Sequence, residues 1–381
     1  MEAYFDNAAT TKVFPQIKDL VVKLMEEDYG NPSSLHQKGV DAGRYIKEAK
    51  EILARELKAD DSEIVFTSGG TESNNLALIG AAFANRRSGN RIITSKIEHA
   101  SVSSTMAFLQ EQGFEIVYID VDAQGIVNLE QLTEAVNQDT ILVSIMYVNN
   151  EIGAVQPIKE IADRIKEKNP AVLFHVDAIQ AFGKYHIYPK RMGIDLMSVS
   201  GHKIHGPKGT GALFIKNRTK VKPILYGGGQ QSGMRSGTEN VPGFAGFGLA
   251  AKLVCENMEE RTKQMRAVKD RLAASLSELE GVYINRGEAP HILSVSFTGV
   301  RSEVMLHALE EKGIYVSSGS ACSSNKPAVS HVLEAIGLPK DRLESTLRFS
   351  FSAENTEEQA DYAAAVIREI LPIYRKYVRK K

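Results

Sequence analysis

Ser198-Val199-Ser200-Gly201-His202-Lys203-Ile204-His205-Gly206-Pro207-Lys208-Gly209-Thr210-Gly211 is the stretch whose reading decides the fold of this chain. It follows the apolar run Ile194 to Val199 and precedes Ala212-Leu213-Phe214-Ile215, and both runs read as buried strands. Lys203 therefore sits on a short connector between strands. Gly201, Gly206, Gly209 and Gly211 let the backbone turn sharply and approach a ligand closely, while Ser200 and His202 offer donors beside the lysine. An amine held there is a covalent handle for an aldehyde. On this stretch alone, though, Lys203 reads more simply as a solvated loop residue, because lysines are mostly exposed.

Asp177 shifts that balance. It closes the apolar run Ala171-Val172-Leu173-Phe174-His175-Val176, and a carboxylate there is costly to bury unless a cation meets it. A pyridinium nitrogen is such a cation: pyridoxal phosphate chemistry pairs a Schiff-base lysine with an acid that keeps the ring nitrogen protonated. Without Lys203, the simpler reading of Asp177 is a helix N-cap.

The chain has 381 residues and a formal charge of -1, which suits two domains, or one large domain with a lobe, and implies no nucleic-acid partner. It shows no signal peptide and no run of about 20 apolar residues, so a soluble cytoplasmic protein without membrane association is expected. Two cysteines, Cys255 and Cys322, are too few and too distant for a disulfide framework, in keeping with a reducing compartment. The basic tail from Tyr374 to Lys381 is short enough to be a solvated helix end.

Outward from the two decisive stretches, strand and helix alternate from Glu63 to Val176, which predicts a mostly parallel sheet with helices on both faces and a ligand at the carboxyl ends of its strands. Several polar clusters fall at those ends. Ser68-Gly69-Gly70-Thr71-Glu72-Ser73-Asn74-Asn75 joins a strand to a helix, where free amides and close approach make a phosphate cradle; it matches neither nucleotide glycine pattern. Glu98-His99 ends the next strand, and His99 reads either as a ring stacked on an aromatic cofactor or as a hydrogen-bonded structural histidine. Asn149-Asn150-Glu151 ends another. Upstream, helices are expected from about Pro15 to Glu27 and from Gly39 to Lys58, with Gly30 to His36 between them as plain punctuation or a substrate-contacting loop.

Beyond Ile215 the glycine-rich stretch Tyr226 to Asn240 is too long for a tight turn and is either mobile or held against a ligand or partner. One helix from Gly243 to about Leu279 then leads to a second lobe of antiparallel strands and covering helices. Cys322 lies in Ser317-Ser318-Gly319-Ser320-Ala321-Cys322-Ser323-Ser324, which has no core pattern; Cys255 reads as a packed helix residue. A thiolate is the best nucleophile available here, although an unperturbed thiol supplies little of it at neutral pH. Arg348, inside the apolar strand Leu347-Arg348-Phe349, needs an anion, either a substrate carboxylate or an internal ion pair. No zinc-ligand spacing is present.

From Tyr4 through the helix after Arg348 the chain resembles the NifS/IscS-type cysteine desulfurases. The matching stretches are Tyr4 to Thr11, Gly30 to His36, Thr67 to Asn75, Glu98-His99, Val148 to Gly153, His175 to Gln180, Ser200 to Lys203, Arg235 to Asn240 and Ser318 to Cys322. The resemblance implies an α/β protein of the aspartate-aminotransferase type (pyridoxal phosphate fold type I). Its large, mostly parallel sheet domain spans 15–260, and a smaller α+β domain, from 1–14 and 261–381, carries the cysteine loop. It implies Lys203 as the cofactor-bearing lysine, Asp177 facing the ring nitrogen, His99 stacked on the ring and Gln180 near its hydroxyl. Gly70, Thr71, Ser200 and His202 would hold the phosphate, and Thr238 would reach that of a neighbouring subunit in a homodimer. Asn31, Asn150 (also beside the cofactor) and Arg348 would hold the substrate, L-cysteine. Cys322 would take its sulfur as a persulfide, contact any transferred iron–sulfur cluster and deliver sulfur to an acceptor such as a cluster scaffold or thiolation protein. The segment Asn325 to Val329 departs from the family's usual sequence, which bears on acceptor choice. Two rivals are weighed: another lyase or aminotransferase of the same fold, such as a selenocysteine lyase, which would use the same anchor but need not have a reactive Cys322, and a non-enzymatic sulfur-carrier scaffold, against which Lys203 and Asp177 argue.

Overall fold

Apolar strands alternating with helices from Ile64 to Ile215 close into one seven-stranded sheet. The protein is described by a computed structural model over residues 1–285, 287–318 and 330–376. Its strands, in chain order, are β1 (Ala3–Tyr4), β2 (Ile64–Thr67), β3 (Arg91–Ser95), β4 (Glu115–Ile119), β5 (Thr140–Met146), β6 (Leu173–Asp177) and β7 (Leu196–Ser200). They continue with β8 (Gly211–Ile215), β9 (Val282–Asn285), β10 (Ile292–Phe297), β11 (Ile314–Tyr315), β12 (Ser317–Ser318) and β13 (Thr346–Ser350).

The large sheet has the order β2-β8-β7-β6-β5-β3-β4. Pairing is parallel from β7 to β4, while β8 runs antiparallel to both β7 and β2. Every residue of β5 and β7 is buried, which is why these strands read as continuous apolar runs and not as alternation: helices cover both faces. Asp177 is in register with Ser198, and Ser200 with Gly211, so the acid and the lysine-bearing turn leave the sheet along one edge. Gly211 is fixed by close approach: a Cβ there would come within 2.7 Å of the Gly69 backbone, at the start of the helix Gly70–Asn85.

The second sheet, β12-β13-β10-β9, is antiparallel throughout and packs on the helices Met258–Ser277 and Glu357–Lys376. Phe297 and Phe349 are fully buried there, each side chain contributing about 1.5–3 kcal/mol by its removal from water. The N-terminal residues connect the two sheets. β1 pairs with β11, Asp6 bridges to Ser350, and the next residues run to the Lys203 turn, where Thr11 donates both its N–H and its Oγ1–H to the His202 carbonyl.

One expectation is corrected. The single helix from Gly243 to Leu279 is two helices, Val241–Glu256 and Met258–Ser277, interrupted at Asn257 (φ -124°, ψ 31°), a residue whose side chain competes for backbone groups and disfavours helix interiors. The N-terminal strand β1 is two residues long and runs into polar turns. β9 and the two-residue strands β11 and β12 carry too short a pattern to be anticipated. No helix among the described residues is long and apolar enough to cross a membrane.

Candidate active site

A cavity of about 400 Å³ opens at the carboxyl edge of the large sheet and extends to the second sheet through Ser317 and Arg348. Ten of the residues singled out in the sequence line it: Gly70, Thr71, His99, Asn150, Asp177, Gln180, Ser200, His202, Lys203 and Arg348. Asn31 and Thr238 do not line it, and both are exposed. Cys322 lies outside the described residues.

Lys203 ends the short 3-10 turn Gly201–Lys203 that follows β7. Its Nζ donates to the carbonyls of Ala8 (2.6 Å) and Ala9 (2.7 Å), so the N-terminal segment forms one wall of the site. Gln180 donates from Nε2 to the same Ala8 carbonyl at 3.0 Å.

Asp177 is 4% exposed at the end of β6. Its Oδ1 accepts from the Ile179 N–H (3.0 Å), so it shapes the turn after the strand instead of capping a helix, and its Oδ2 accepts from Asn74 Nδ2 (2.8 Å). Burial pushes the carboxyl above the usual carboxylate range, against the pull of these two donors and of the nearby His99 and Lys203. The second Asn74 N–H donates to Ser101 Oγ at 2.8 Å, and that hydroxyl lies 2.9 Å from His99 Nδ1. His99 Nδ1 also accepts from the Ser101 N–H at 3.1 Å, which leaves the ring proton on Nε2. Burial lowers the His99 pKa and favours the neutral ring. A continuous chain thus links acid and imidazole through Asn74 and Ser101, fixing both without a charge between them.

The opposite wall is the start of the helix Gly70–Asn85. A Cβ at Gly70 would strike Ile179 Cδ1 at 2.1 Å, so glycine lets the helix N-terminus come close over the cavity. Ser200 Oγ is buried in the lining without a hydrogen-bond partner among the described residues. An unspent hydroxyl beside Thr71, His202 and a helix N-terminus is a donor set for a phosphate. Glu72, in the first turn, is bound by Arg235 Nε (2.8 Å), which ties the glycine-rich stretch to this helix.

Arg348 combines the two readings its sequence left open. Its Nη2 donates to Asp6 Oδ1 at 2.9 Å and its Nη1 to the Asn150 carbonyl at 2.8 Å, an internal ion pair, yet the guanidinium lines the cavity and its buried Nε has no partner among the described residues.

Sequence reasoning missed Asn74, Ser101 and Asp6. Asn74 carried a legible signal, a polar residue one turn into a helix whose neighbours Leu76, Ala77 and Leu78 are fully buried. Asp6 carried none, because nothing local marks a partner so far along the chain.

Glu98, beside His99, is 1% exposed; its Oε1 accepts from Ser95 Oγ (2.6 Å) and the Met146 N–H (3.0 Å) while its Oε2 has no partner among the described residues. Burial pushes its carboxyl up to about 8. A pKa raised in the folded state favours folding below the ordinary carboxyl value and loses that contribution as pH rises through about 8. Glu98→Gln is therefore expected to gain stability relative to the wild type as pH rises from about 5 to 8, measured as the difference in denaturant midpoint; a constant difference across that range would remove Glu98 as the source.

The class-V aminotransferase family matches residues 3–362. The cysteine desulfurase IscS of Clostridium botulinum is 41% identical, the alignment covering 100% of this chain and 98% of that protein. The IscS of Methanosarcina thermophila is 44% identical over 97% of this chain and 91% of its own length. Among solved structures, a NifS-like protein superposes with a TM-score of 0.93 at 39% identity over 98% of this chain and 100% of that one. One from Rickettsia africae gives 0.88 at 33% identity over the same shares. Agreement in sequence and in fold over nearly the whole length means that this chain belongs to the class-V aminotransferase family, among its IscS/NifS-type members.

Proposed function

We propose that this chain is a cysteine desulfurase, which removes sulfur from L-cysteine and releases L-alanine. The observation that carries the reading is the pairing, across one cavity, of the Lys203 amine with the buried acid Asp177. The relatives named cysteine desulfurase align over 98% and 91% of their lengths, which supports it.

The residues present fit pyridoxal phosphate. Asp177 is a buried acid short of a cation, Ser200 Oγ is a buried hydroxyl short of an acceptor, and Gly70 leaves the helix N-terminus open to an anion. When bound, the cofactor supplies an aldehyde for covalent capture of an amino group and a ring that takes up an electron pair from the substrate's α-carbon. Asp177 would face its ring nitrogen, Gln180 its hydroxyl, and Gly70, Thr71, Ser200 and His202 its phosphate. His99, held neutral by burial, would present a flat uncharged face to the ring. Asn150 and Arg348 would hold the substrate, Arg348 through the carboxylate.

The Lys203 amine would remove the proton from the substrate's α-carbon and return it to the product. The Cys322 thiolate attacks the substrate sulfur: an S–S bond forms, the carbon–sulfur bond breaks with its electron pair left on carbon, and a proton there completes alanine. The sulfur stays on Cys322 as a persulfide for an acceptor protein, such as an iron–sulfur scaffold or a thiolation protein. Thr238, exposed and away from its own cavity, suits the phosphate of a neighbouring subunit, and the exposed Leu35 and Tyr226 supply apolar surface for a homodimer. This chemistry requires reduced thiols and suits the cytoplasm.

Protein loaded with pyridoxal phosphate is expected to convert L-cysteine to alanine with one sulfur recovered for each alanine formed. A keto acid in place of alanine would assign an aminotransferase instead. Arg348→Ala should raise KM for L-cysteine by roughly 30-fold or more, the ratio equivalent to about 2 kcal/mol for a truncated, desolvated charge contact. Unchanged KM in the folded variant would take Arg348 out of substrate binding.

A further inference from the structure

A second lysine lies against the back of the Lys203 turn. Lys184 Nζ donates to the main-chain carbonyl of Lys203 itself at 2.9 Å. The approach depends on Gly183, whose φ of +75° is left-handed and whose Cβ would come within 2.9 Å of Val254 and 3.1 Å of Ile204, the residue after Lys203. The rest of the turn is pinned from the N-terminal side, where Thr11 Oγ1 donates to the His202 carbonyl (2.9 Å) and accepts from the His205 N–H (2.7 Å). The Lys203 carbonyl between those two points is held by Lys184.

Lys184 and Lys203 share a small cavity of about 20 Å³ with Arg261, His205 and His291, and none of the residues that line it is an acid. The groups around Lys184 give its charge little compensation. His205 is pushed down to about 4 and His291 well below its ordinary value, both by burial, so both rings are neutral near pH 7. The Cys255 thiol is pushed up to about 12 by burial and is uncharged as well. Arg261 adds a positive charge; its acid, Glu354, is 3.7 Å away and largely exposed. Burial first, and then Lys203 and Arg261, lower the Lys184 pKa to about 7. Repulsion between two amines is mutual, so a proton on Lys184 works against a proton on Lys203, whereas the Ala8 and Ala9 carbonyls and the nearby Asp177 favour one, and the His99 and His202 rings, lowered by burial, favour their neutral forms.

We propose that Lys184 is a positioning residue for Lys203: it holds the turn by the Lys203 carbonyl and opposes protonation of the Lys203 amine, keeping that amine available as a base. The inference rests on Lys203 being the cofactor-bearing lysine, and the test separates the two claims. Full-length protein stripped of cofactor is trace-labelled with acetic anhydride across pH, and modification of Lys203 is read by peptide mass spectrometry. Lys184→Met is expected to raise the midpoint of Lys203 labelling by about one pH unit, roughly a tenfold loss of reactive amine at neutral pH, while Lys184→Arg stays close to the wild type. Lys184→Gln, which keeps a donor without the charge, should show the same rise and serves as the readout if the methionine variant does not fold. In the loaded protein, the pH midpoint of the visible absorbance should move the same way, with kcat lowered more than KM. Labelling midpoints equal to wild type in folded Lys184→Gln would overturn the role of Lys184. A wild-type protein that takes up no cofactor at Lys203 would instead overturn the reading beneath it.

Discussion

Lys203→Ala protein mixed with pyridoxal phosphate develops none of the visible absorbance of lysine-bound cofactor, and its alanine production from L-cysteine falls by at least about 10²–10⁴-fold, the span that a positioned acid–base group contributes. The expectation follows from geometry. The amine stands at the edge where β6 and β7 end, across one cavity from Asp177, and its side chain is held by the Ala8 and Ala9 carbonyls. Alanine at this position removes the covalent anchor and the base together, and the remaining contacts to a phosphate or ring cannot replace either. Absorbance and turnover that persist in the variant would place the covalent link on another lysine and dissolve the proposal.

Cys322→Ser gives the complementary result. Its cofactor absorbance should match the wild type, because none of the residues proposed to hold the cofactor is changed, while sulfide release in the presence of a reductant falls to background. Serine offers an alcohol far less ionised than a thiol and unable to form a stable persulfide. Cys255→Ser is the internal control. That thiol packs against the main core and burial pushes it up to about 12, so it is no thiolate at neutral pH and its loss should leave turnover within about twofold of the wild type. Activity lost with Cys255 and kept without Cys322 would reverse the assignment of the nucleophile.

The seven-stranded sheet was legible because each of its strands is a short apolar run bounded by glycine or polar residues, and each parallel crossover is long enough to hold a helix. The edge where ligands bind follows from that topology, and ten of the singled-out residues lie on one cavity for the same reason. What escaped the sequence was pairing over long separations. Arg348 could be read as needing an anion, yet not that Asp6 supplies one, and Lys203 as a reactive amine, yet not that the carbonyls of Ala8 and Ala9 receive it. The break at Asn257 escaped because apolar periodicity runs on through both helices and only one residue departs from helical angles. Asn31 and Thr238 are exposed and do not line the cavity, and a single sequence does not state where such a loop packs.

The wall formed by residues 6 to 9 has a bearing on how the protein is made. Asp6 meets Arg348, 342 residues further along the chain, so this wall is fixed only after that later stretch has been made. The large sheet needs nothing beyond Ile215 for its strand order. Contacts so far apart in sequence form late, since loop closure is costly until the intervening parts have folded. Vitamin capture should therefore lag sheet formation during refolding, and ribosome-bound chains halted before residue 348 should carry a sheet that does not yet retain the cofactor.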